Sequence, residues 1–215
     1  MLCTVFLFAF FVFLSGCDKV NNIEQLNSDI TANGMNLVDA IERNDIDEFS
    51  HLLKTGVNPN FRTQKGNVSQ NKVLMEIAAM HRNSEFLRLA LRHGGNSNAK
   101  DRCLNHGIIF KTIESNLPEN LLLLINHNAD INEQGLNEKT PLSLAIAIKK
   151  FHLANILLDK GADPSLKNKW GYSAIDIFTT FGDAGVHLGS ENYDWYIKLA
   201  HKFNIDPNKI KKKRK

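Results

Sequence analysis

One short turn occurs five times along this chain, and its spacing constrains the fold more than any other feature of the sequence. Every copy begins with Gly or Asn, has Asn or Asp at its third position and ends in Asn or Ser. The first residues of successive copies lie 38, 34, 33 and 43 positions apart, so a period near 33 residues persists with two insertions. Periods of this length are typical of stacked repeats, which commonly present a binding surface. The copies lie at 56–60, 94–98, 128–132, 161–165 and 204–208.

The fourth copy ends the clearest unit of the pattern. This unit starts at Thr140-Pro141-Leu142, continues into an apolar run over 153–158 and stops at Gly161. The Thr140 hydroxyl suits the N-cap of a first helix, and Pro141 suits the first helical position, where a missing N–H costs nothing. Gly161 suits the left-handed residue that ends a second helix. The unit therefore predicts two short helices whose apolar stripe only a stacked neighbour can bury.

This order of a Thr-Pro-Leu start, two short helices and a glycine exit closely resembles the ankyrin repeat. The resemblance implies an all-α solenoid of about five helix-turn-helix repeats over residues 35–208. The fifth repeat starts at Ser173, carries an extra loop over 182–190 and resumes at 192–203, so we interpret it as an atypical C-terminal cap. First helices are expected to start near Met35, Val73 and Gly107, and second helices to occupy 47–54, 85–92, 119–126 and 153–160.

The chain departs from the family pattern at several positions. Thr112 stands where the family has a small alanine, and no other copy keeps the Thr-Pro-Leu start. The position between the two helices, usually glycine, is occupied by Asn44 and Asn116, which tolerate a left-handed backbone. Arg82 and Lys149, at the same position, adopt that backbone less readily. These departures predict a degenerate array with slightly irregular stacking.

The N-terminus has the pattern of a secretion signal. The apolar stretch 4–14 is too short to span a membrane and suits the core of a signal peptide over residues 1–16. Leu14-Ser15-Gly16-Cys17 resembles the bacterial lipobox, which implies lipidation of Cys17 and removal of the preceding segment. No Lys or Arg precedes the apolar core, so either the positive region is absent or the true start lies upstream; a short membrane anchor is the alternative. Asp18 resembles the signal for retention in the inner membrane.

Two polar segments flank the array. Residues 17–34 are rich in Asn and lack an apolar period, which predicts a flexible tether between lipid and repeats. Residues 209–215 contain six basic side chains, which leave the rest of the chain with 20 bases against 23 acids, a formal charge of −3. Such a tail either attracts anionic headgroups, at about 1 kcal/mol per basic residue, or only aids solubility. Positive charge confined to a tail argues against nucleic-acid binding.

Cys103 is the one cysteine left after Cys3 leaves with the signal and Cys17 takes lipid, so no internal disulfide is expected. It is either an incidental small residue or a reactive or partner-linked thiol.

The sequence contains no recognisable catalytic constellation. It has no Gly-x-Ser-x-Gly, no glycine-rich phosphate loop, no His-Glu-x-x-His and no Cys-x-x-Cys. His93-Gly94-Gly95-Asn96 is similar to an esterase oxyanion loop but coincides with a repeat exit turn. The acidic run 45–48 opens a second helix, where carboxylates favour the positive end of the helix dipole, and a cation site is the weaker alternative. We therefore expect no enzymatic activity, no cofactor and no metal.

The resemblance implies that a protein partner docks on the loops that connect the repeats, here called fingers, and on the first helices. The fingers run over 61–72, 99–106, 133–139 and 166–172. Trp170, flanked by Lys167, Lys169 and Tyr172, has the composition of an interface anchor, unless it folds back onto the fifth repeat. The polar remainder of the expected surface is Arg62, Lys65, Arg102, Asn105, Glu133, Gln134 and Glu138.

These features predict a lipid-anchored protein of the bacterial envelope that faces the periplasm and binds a protein. Small lipoproteins with degenerate ankyrin arrays resemble immunity proteins that neutralise lipase-type toxins delivered by type VI secretion. A general envelope scaffold or stress-related lipoprotein is the second hypothesis. A host-directed effector is the third, although lipidation would retain it, and an enzyme is the weakest.

Overall fold

The computed structural model describes residues 33–62, 73–101, 104, 106–181 and 186–207. Within them the expected all-α repeat solenoid is confirmed, with β-structure limited to isolated bridges at the bases of the fingers. A short 3-10 turn, Leu136–Glu138, lies in the third finger. The helices are α1 (33–42), α2 (Ile46–Lys54), α3 (Leu74–Met80), α4 (Glu85–Arg92), α5 (Ile108–Glu114), α6 (Pro118–Asn126), α7 (Pro141–Ala147), α8 (Phe151–Asp159), α9 (Ala174–Phe181) and α10 (Glu191–Lys202).

Several sequence predictions fall outside the described residues. They are the signal peptide 1–16, Cys17, Asp18, most of the tether, Lys65, Arg102, Cys103, Asn105 and the basic tail 209–215. The described part begins at residues 33 and 34, which were assigned to the tether and belong to α1.

Helix starts are set by short polar side chains at several points in the array. The Thr140 hydroxyl accepts a hydrogen bond from the Ser143 amide at 3.1 Å, while the Thr140 amide donates to the Ser143 hydroxyl at 2.9 Å. Pro141 occupies the first helical position, as predicted. Asp45 caps α2 by accepting from the Glu48 amide at 3.0 Å, which gives one carboxylate of the acidic run 45–48 a structural role.

The helices form two layers. First helices pack against first helices in the order α3, α5, α7 and α9, and α6 and α8 pack likewise between α4 and α10 in the second layer. Each layer contacts the other within a repeat, as α7 does with α8. Because both faces of the inner repeats are covered, one continuous cluster of buried apolar residues runs from Leu37 to Ala200.

Aromatic side chains close the C-terminal end of this core. Phe178 stacks on Tyr196 with ring centroids 5.0 Å apart and meets Phe151 and Phe203 edge to face at 6.2 and 5.4 Å. Such pairs add about 0.5–1.5 kcal/mol each beyond the area they bury. The fifth repeat is therefore joined to the array by a packed aromatic cluster, in keeping with its predicted role as a cap.

Buried polar side chains bond to backbone carbonyls. Thr112, at the family's alanine position, is fully buried, and its hydroxyl donates to the Ile109 carbonyl at 2.8 Å. Asn120 donates to the Ala79 and His81 carbonyls at 2.9 and 2.8 Å, and so ties α6 to the end of α3. Buried polar groups are tolerated when they are paired in this way.

The turns between paired helices differ from one another. Asn44, Asn116 and Lys149 all adopt the left-handed backbone, with φ of 55, 58 and 59°. Lys149 does so despite its side chain, whereas Arg82 is not among the described residues with positive φ. In that second repeat the chain leaves α3 through an extended His81, with φ −79° and ψ 137°. The turn after α3 therefore has a different backbone from the turns at Asn44, Asn116 and Lys149.

The exit turns are joined by a ladder of asparagine hydrogen bonds. Asn98 donates to the Asn128 carbonyl at 3.0 Å and accepts from the Asp130 amide at 2.7 Å. Asn60 makes the equivalent pair of bonds one repeat earlier, to the Gly94 carbonyl and the Asn96 amide. Asn132 accepts from the Asp163 amide at 2.9 Å. The turn that first revealed the repeat thus also joins successive repeats along one edge.

Candidate partner-binding surface

Three of the four fingers have a single bridge pair at the base. Lys100 pairs with Gly107 and Lys167 pairs with Ser173, which brings the two arms of each finger together. Arg62 pairs with Val73 in the same way, although the residues between them are not described. Between the bridged residues of the fourth finger, Lys169, Trp170 and Tyr172 are all exposed.

One buried side chain holds the tip of the fourth finger. The Asn168 amide oxygen accepts hydrogen bonds from the Trp170 and Tyr172 amides at 3.0 and 3.1 Å. The Asn168 backbone donates to the Tyr172 carbonyl at 2.9 Å and accepts from the Gly171 amide at 2.8 Å. Gly171 has a φ of 81°, which favours glycine at this position. The tip is therefore a tight turn in which every backbone amide from Asn168 to Tyr172 donates a hydrogen bond.

The structure places Trp170 at the surface instead of folding it onto the fifth repeat. Its side chain is 54% exposed, and the neighbouring Tyr172 is also half exposed. The Lys169 and Lys139 ammonium nitrogens lie 4.7 and 5.9 Å from the centroid of the Trp170 ring. Both distances are within cation–π range. An exposed tryptophan on a loop that is held by hydrogen bonds has the properties of an interface anchor.

The third and fourth fingers are bonded to each other. The Lys169 amide donates to the Asn137 carbonyl at 3.0 Å, and the Gln134 side chain donates to the Lys167 carbonyl at 3.1 Å. This contact places Leu136, which is half exposed, one residue from the junction. We define the Trp170 patch as Leu136, Lys139, Lys167, Lys169, Trp170 and Tyr172.

Glu133 has a different role from the one predicted for it. Its side chain is only 11% exposed, and one carboxylate oxygen accepts from both the Lys100 ammonium at 2.8 Å and the Gly107 amide at 2.7 Å. A Cβ at Gly107 would collide with the Glu133 carboxylate, so glycine is required for this approach. Glu133 thus ties the third finger to the base of the second, which corrects its assignment to the open surface. Lys100 and Glu133 are one repeat period apart in the sequence, and that spacing was the available signal.

The second finger is closed by a buried carboxylate. One Asp101 oxygen accepts from the Leu104 and His106 amides at 2.8 and 3.4 Å, and the other lies 3.5 Å from the Lys111 ammonium. Burial raises the pKa of Asp101, but the Leu104 hydrogen bond and the attraction of Lys111 outweigh it and bring the pKa below its usual 3.8. Asp101 is therefore a charged structural group.

The other predicted surface residues within the described ranges lie in two places, beside Trp170 and on the first finger. Gln134, Glu138, Lys167 and Lys169 are exposed beside Trp170 and are brought together by the junction of the two fingers. Arg62 is exposed on the first finger and donates to the Lys100 carbonyl at 2.6 Å, so it connects the first two fingers.

Sequence reasoning missed two members of the Trp170 patch. Lys139 lies at the end of the third finger, and no local pattern indicates that it reaches the Trp170 ring. Leu136 precedes Trp170 by 34 positions, one repeat period, and is an apolar residue in an otherwise polar finger. That spacing was a usable signal. Leu104 is an exposed apolar residue of the second finger and lies 32 positions before Leu136.

The described residues also contain a shallow cavity at the turns between paired helices. It has a volume of about 390 Å³ and is lined by residues that include Lys149, Lys150, His152, Glu191 and Trp195. Burial, and secondarily the charge of Lys150, lower the pKa of His152.

No group of three His, Cys, Asp or Glu side chains able to hold a metal ion occurs within the described ranges. None of the helices in these ranges is long and apolar enough to cross a bilayer.

Comparison with known proteins agrees with this architecture. Residues 137–169 match the family model for the ankyrin repeat. The chain is 27% identical to the mitochondrial disaggregase of Bos taurus over 65% of its own length and 20% of that protein. It is 28% identical to the ankyrin repeat domain-containing protein M-T5 of Myxoma virus over 64% of its length and 29% of that protein. It is 34% identical to the ankyrin repeat and SOCS box protein 6 of Pongo abelii over 40% of its length and 21% of that protein.

The chain therefore spans less than a third of each of these relatives. Arrays of this kind are protein-interaction modules and typically carry no catalytic site.

Proposed function

Because this chain is an all-α ankyrin-repeat solenoid, we propose that it binds a protein through the Trp170 patch and adjoining fingers, without catalysis of its own. The observation that carries the proposal is the exposure of Trp170 on a finger tip held by Asn168. An aromatic side chain on a pre-ordered loop loses little conformational freedom on binding, and tryptophan is enriched among residues that dominate interface energies.

We further propose that the partner is a toxin of the lipase type that other bacteria deliver into the periplasm, and that this chain is its immunity protein. Support comes from the lipobox-like Leu14-Ser15-Gly16-Cys17 and the polar residues that follow it, which together suit a binding module tethered at a membrane. A membrane-attacking enzyme arrives at that location, and an extended finger surface can cover the entrance of its active site. A general envelope scaffold is the alternative outcome of the test below.

The proposal is tested by recovering the partner from the cells that make this protein. We expect the full-length chain, extracted in mild detergent, to retain a near-stoichiometric secreted toxin with slow dissociation and to inhibit its lipase activity. A diffuse set of weakly held envelope proteins would contradict the toxin and favour the scaffold. Recovery of no protein that dissociates slowly would contradict the binding role.

Replacing Trp170 tests whether the Trp170 patch is the surface that binds the partner. Trp170→Ala should weaken the recovered complex by about 2 kcal/mol or more, as expected for a central aromatic anchor, and leave the melting temperature almost unchanged. Leu188→Ala is the matched control, because Leu188 is 72% exposed and lies outside the fingers. It should change neither property. A lower melting temperature for Trp170→Ala, or an unchanged complex, would mean that Trp170 is not the anchor.

A further inference from the structure

We propose that the Trp170 patch selects an acidic segment that also carries apolar side chains. This inference rests on the proposed protein-binding function and names the chemistry of the partner at that surface. It depends on three properties of the patch: its positive charge, its exposed apolar groups and its fixed backbone.

Two of the three lysines of the Trp170 patch lie directly beside the Trp170 ring. Lys169 and Lys139 place their ammonium groups 4.7 and 5.9 Å from the Trp170 ring centroid, and Lys167 is exposed on the same finger. Within the described residues none of these three lysines forms an ion pair. The charges of Lys139 and Lys169 are therefore available to a partner, while the charge of Lys167 is partly offset by its attraction to Asp176.

The nearby carboxylates offset this charge only in part. Asp176 accepts from the Ser173 amide and hydroxyl at 2.8 and 2.6 Å, so its carboxylate is held at the start of α9. Glu138 is exposed on the third finger and contributes one further negative charge. With both carboxylates counted against its three lysines, the patch remains positive at neutral pH.

A partner cannot contact the apolar side chains of the Trp170 patch without also contacting its lysines. A partner that covers the exposed indole must also displace water from the two ammonium groups beside the ring. Removing water from a charge is costly unless an opposite charge replaces it, and a like charge adds repulsion. A neutral or basic segment therefore loses affinity here, while Asp or Glu next to the apolar group restores it.

The apolar part of the partner has its own contacts. Leu136, Trp170 and Tyr172 are each about half exposed, at 52, 54 and 50%. The hydrogen bond from the Lys169 amide to the Asn137 carbonyl keeps the two finger tips adjacent. In an extended segment successive side chains point to opposite faces, so a segment with acidic and apolar residues in alternating pairs places both kinds of side chain on the face that meets this patch.

Synthetic peptides test the selectivity without the toxin. The chain has two tryptophans, so Trp195→Phe leaves Trp170 as the single indole, and Cys17→Ser removes the lipid site. Full-length protein with both changes, in non-ionic detergent, is titrated with a nine-residue peptide that alternates pairs of Asp with pairs of Leu (the Asp-Leu peptide) while Trp170 emission is followed. One control peptide has Lys in place of Asp, and another has Ser in place of Leu.

We expect a saturable change in Trp170 emission with the Asp-Leu peptide and binding at least about tenfold weaker for both control peptides. Lys139→Glu combined with Lys169→Glu should weaken binding of the Asp-Leu peptide by a similar factor. Lys54→Glu is the matched charge control, since Lys54 is exposed at the end of α2 in the first repeat. Equal binding of the Lys-Leu peptide, no saturable change with Asp-Leu, or an equal effect of Lys54→Glu would overturn the proposal.

Failure of the acidic preference can be distinguished from failure of the proposed function. If the recovered toxin is lost with Trp170→Ala but retained with the two lysine reversals, the binding role stands and the acidic preference is wrong. If the Asp-Leu peptide binds as expected and no toxin is recovered, the acidic preference stands and the immunity role is wrong.

Discussion

At the scale of single residues, Lys149 shows how the array adopts a family backbone without the family residue. It has a φ of 59° between α7 and α8, where Asn44 and Asn116 stand in other repeats. A left-handed backbone at a residue with a Cβ costs on the order of 1–3 kcal/mol. Neighbouring helices hold the turn in this conformation, because the Lys150 amide donates to the Ala145 carbonyl at 2.8 Å.

Lys149→Gly should therefore stabilise the protein. We expect the free energy of unfolding to rise by about 0.5–1 kcal/mol, since relief of the left-handed strain exceeds the added entropy of glycine in the unfolded chain. Lys149→Ala loses the same side-chain contacts but keeps a Cβ, so it should not show this gain. Urea denaturation followed by circular dichroism measures both. Equal stabilities for the two variants would show that the turn is not strained.

Residue-level prediction succeeded where the chemistry was local and failed where it depended on another repeat. Thr140 and Pro141 act as predicted because capping involves only neighbouring residues. The role of Glu133 depends on Lys100 and Gly107, which belong to the preceding finger. The approach of Lys139 to Trp170 likewise depends on how two fingers meet.

At the scale of elements, the asparagine ladder joins exit turns that the apolar core does not reach. Asn60, Asn98 and Asn132 each bond to the following turn. Ser165 occupies the equivalent position in the fourth turn, and its hydroxyl instead donates to Asp163 at 2.6 Å. The ladder bonds therefore link the first four exit turns.

Asn98→Ala removes two bonds of this ladder. Because net hydrogen bonds contribute about 0.5–1.5 kcal/mol each and these are exposed, we expect the free energy of unfolding to fall by about 1 kcal/mol. Asn126→Ala is the control, as Asn126 is exposed at the end of α6 in the following repeat. It should leave stability within about 0.5 kcal/mol. If thermal unfolding shows no difference between the two variants, the ladder does not stabilise the array.

Helix positions were predicted well wherever a polar or glycine signal marked the boundary. The residues of α4 are those predicted, Glu85–Arg92, whereas α8 starts at Phe151, two positions before the prediction. No capping side chain marks that start, and the left-handed Lys149 before it resembles an ordinary lysine in the sequence.

At the scale of the whole molecule, the proposed tether and the Trp170 patch lie toward opposite ends of the chain. The continuous core from Leu37 to Ala200 connects the described repeats into one body. A lipid on Cys17 would hold this body at a membrane through the polar residues that precede α1. We therefore expect membrane location and partner binding to be separable properties of the protein.

Cys17→Ser tests the location. We expect the variant to leave the membrane pellet and appear in the supernatant when cell extracts are centrifuged, because no lipid can be attached to it. Cys103→Ser changes the other cysteine of the proposed mature chain and should remain with the membranes. If Cys17→Ser sediments with the membranes as the unchanged protein does, lipidation is not what holds it there.

The bonded tip of the fourth finger has a consequence for the kinetics of association. Asn168 holds the backbone at Trp170 and Tyr172 before any partner arrives. A partner that binds the Trp170 patch would therefore meet a loop that needs no slow rearrangement, and we expect diffusional encounter to limit the rate of association. With lysines beside the indole, long-range attraction would speed that encounter for an acidic partner, and added salt would slow it.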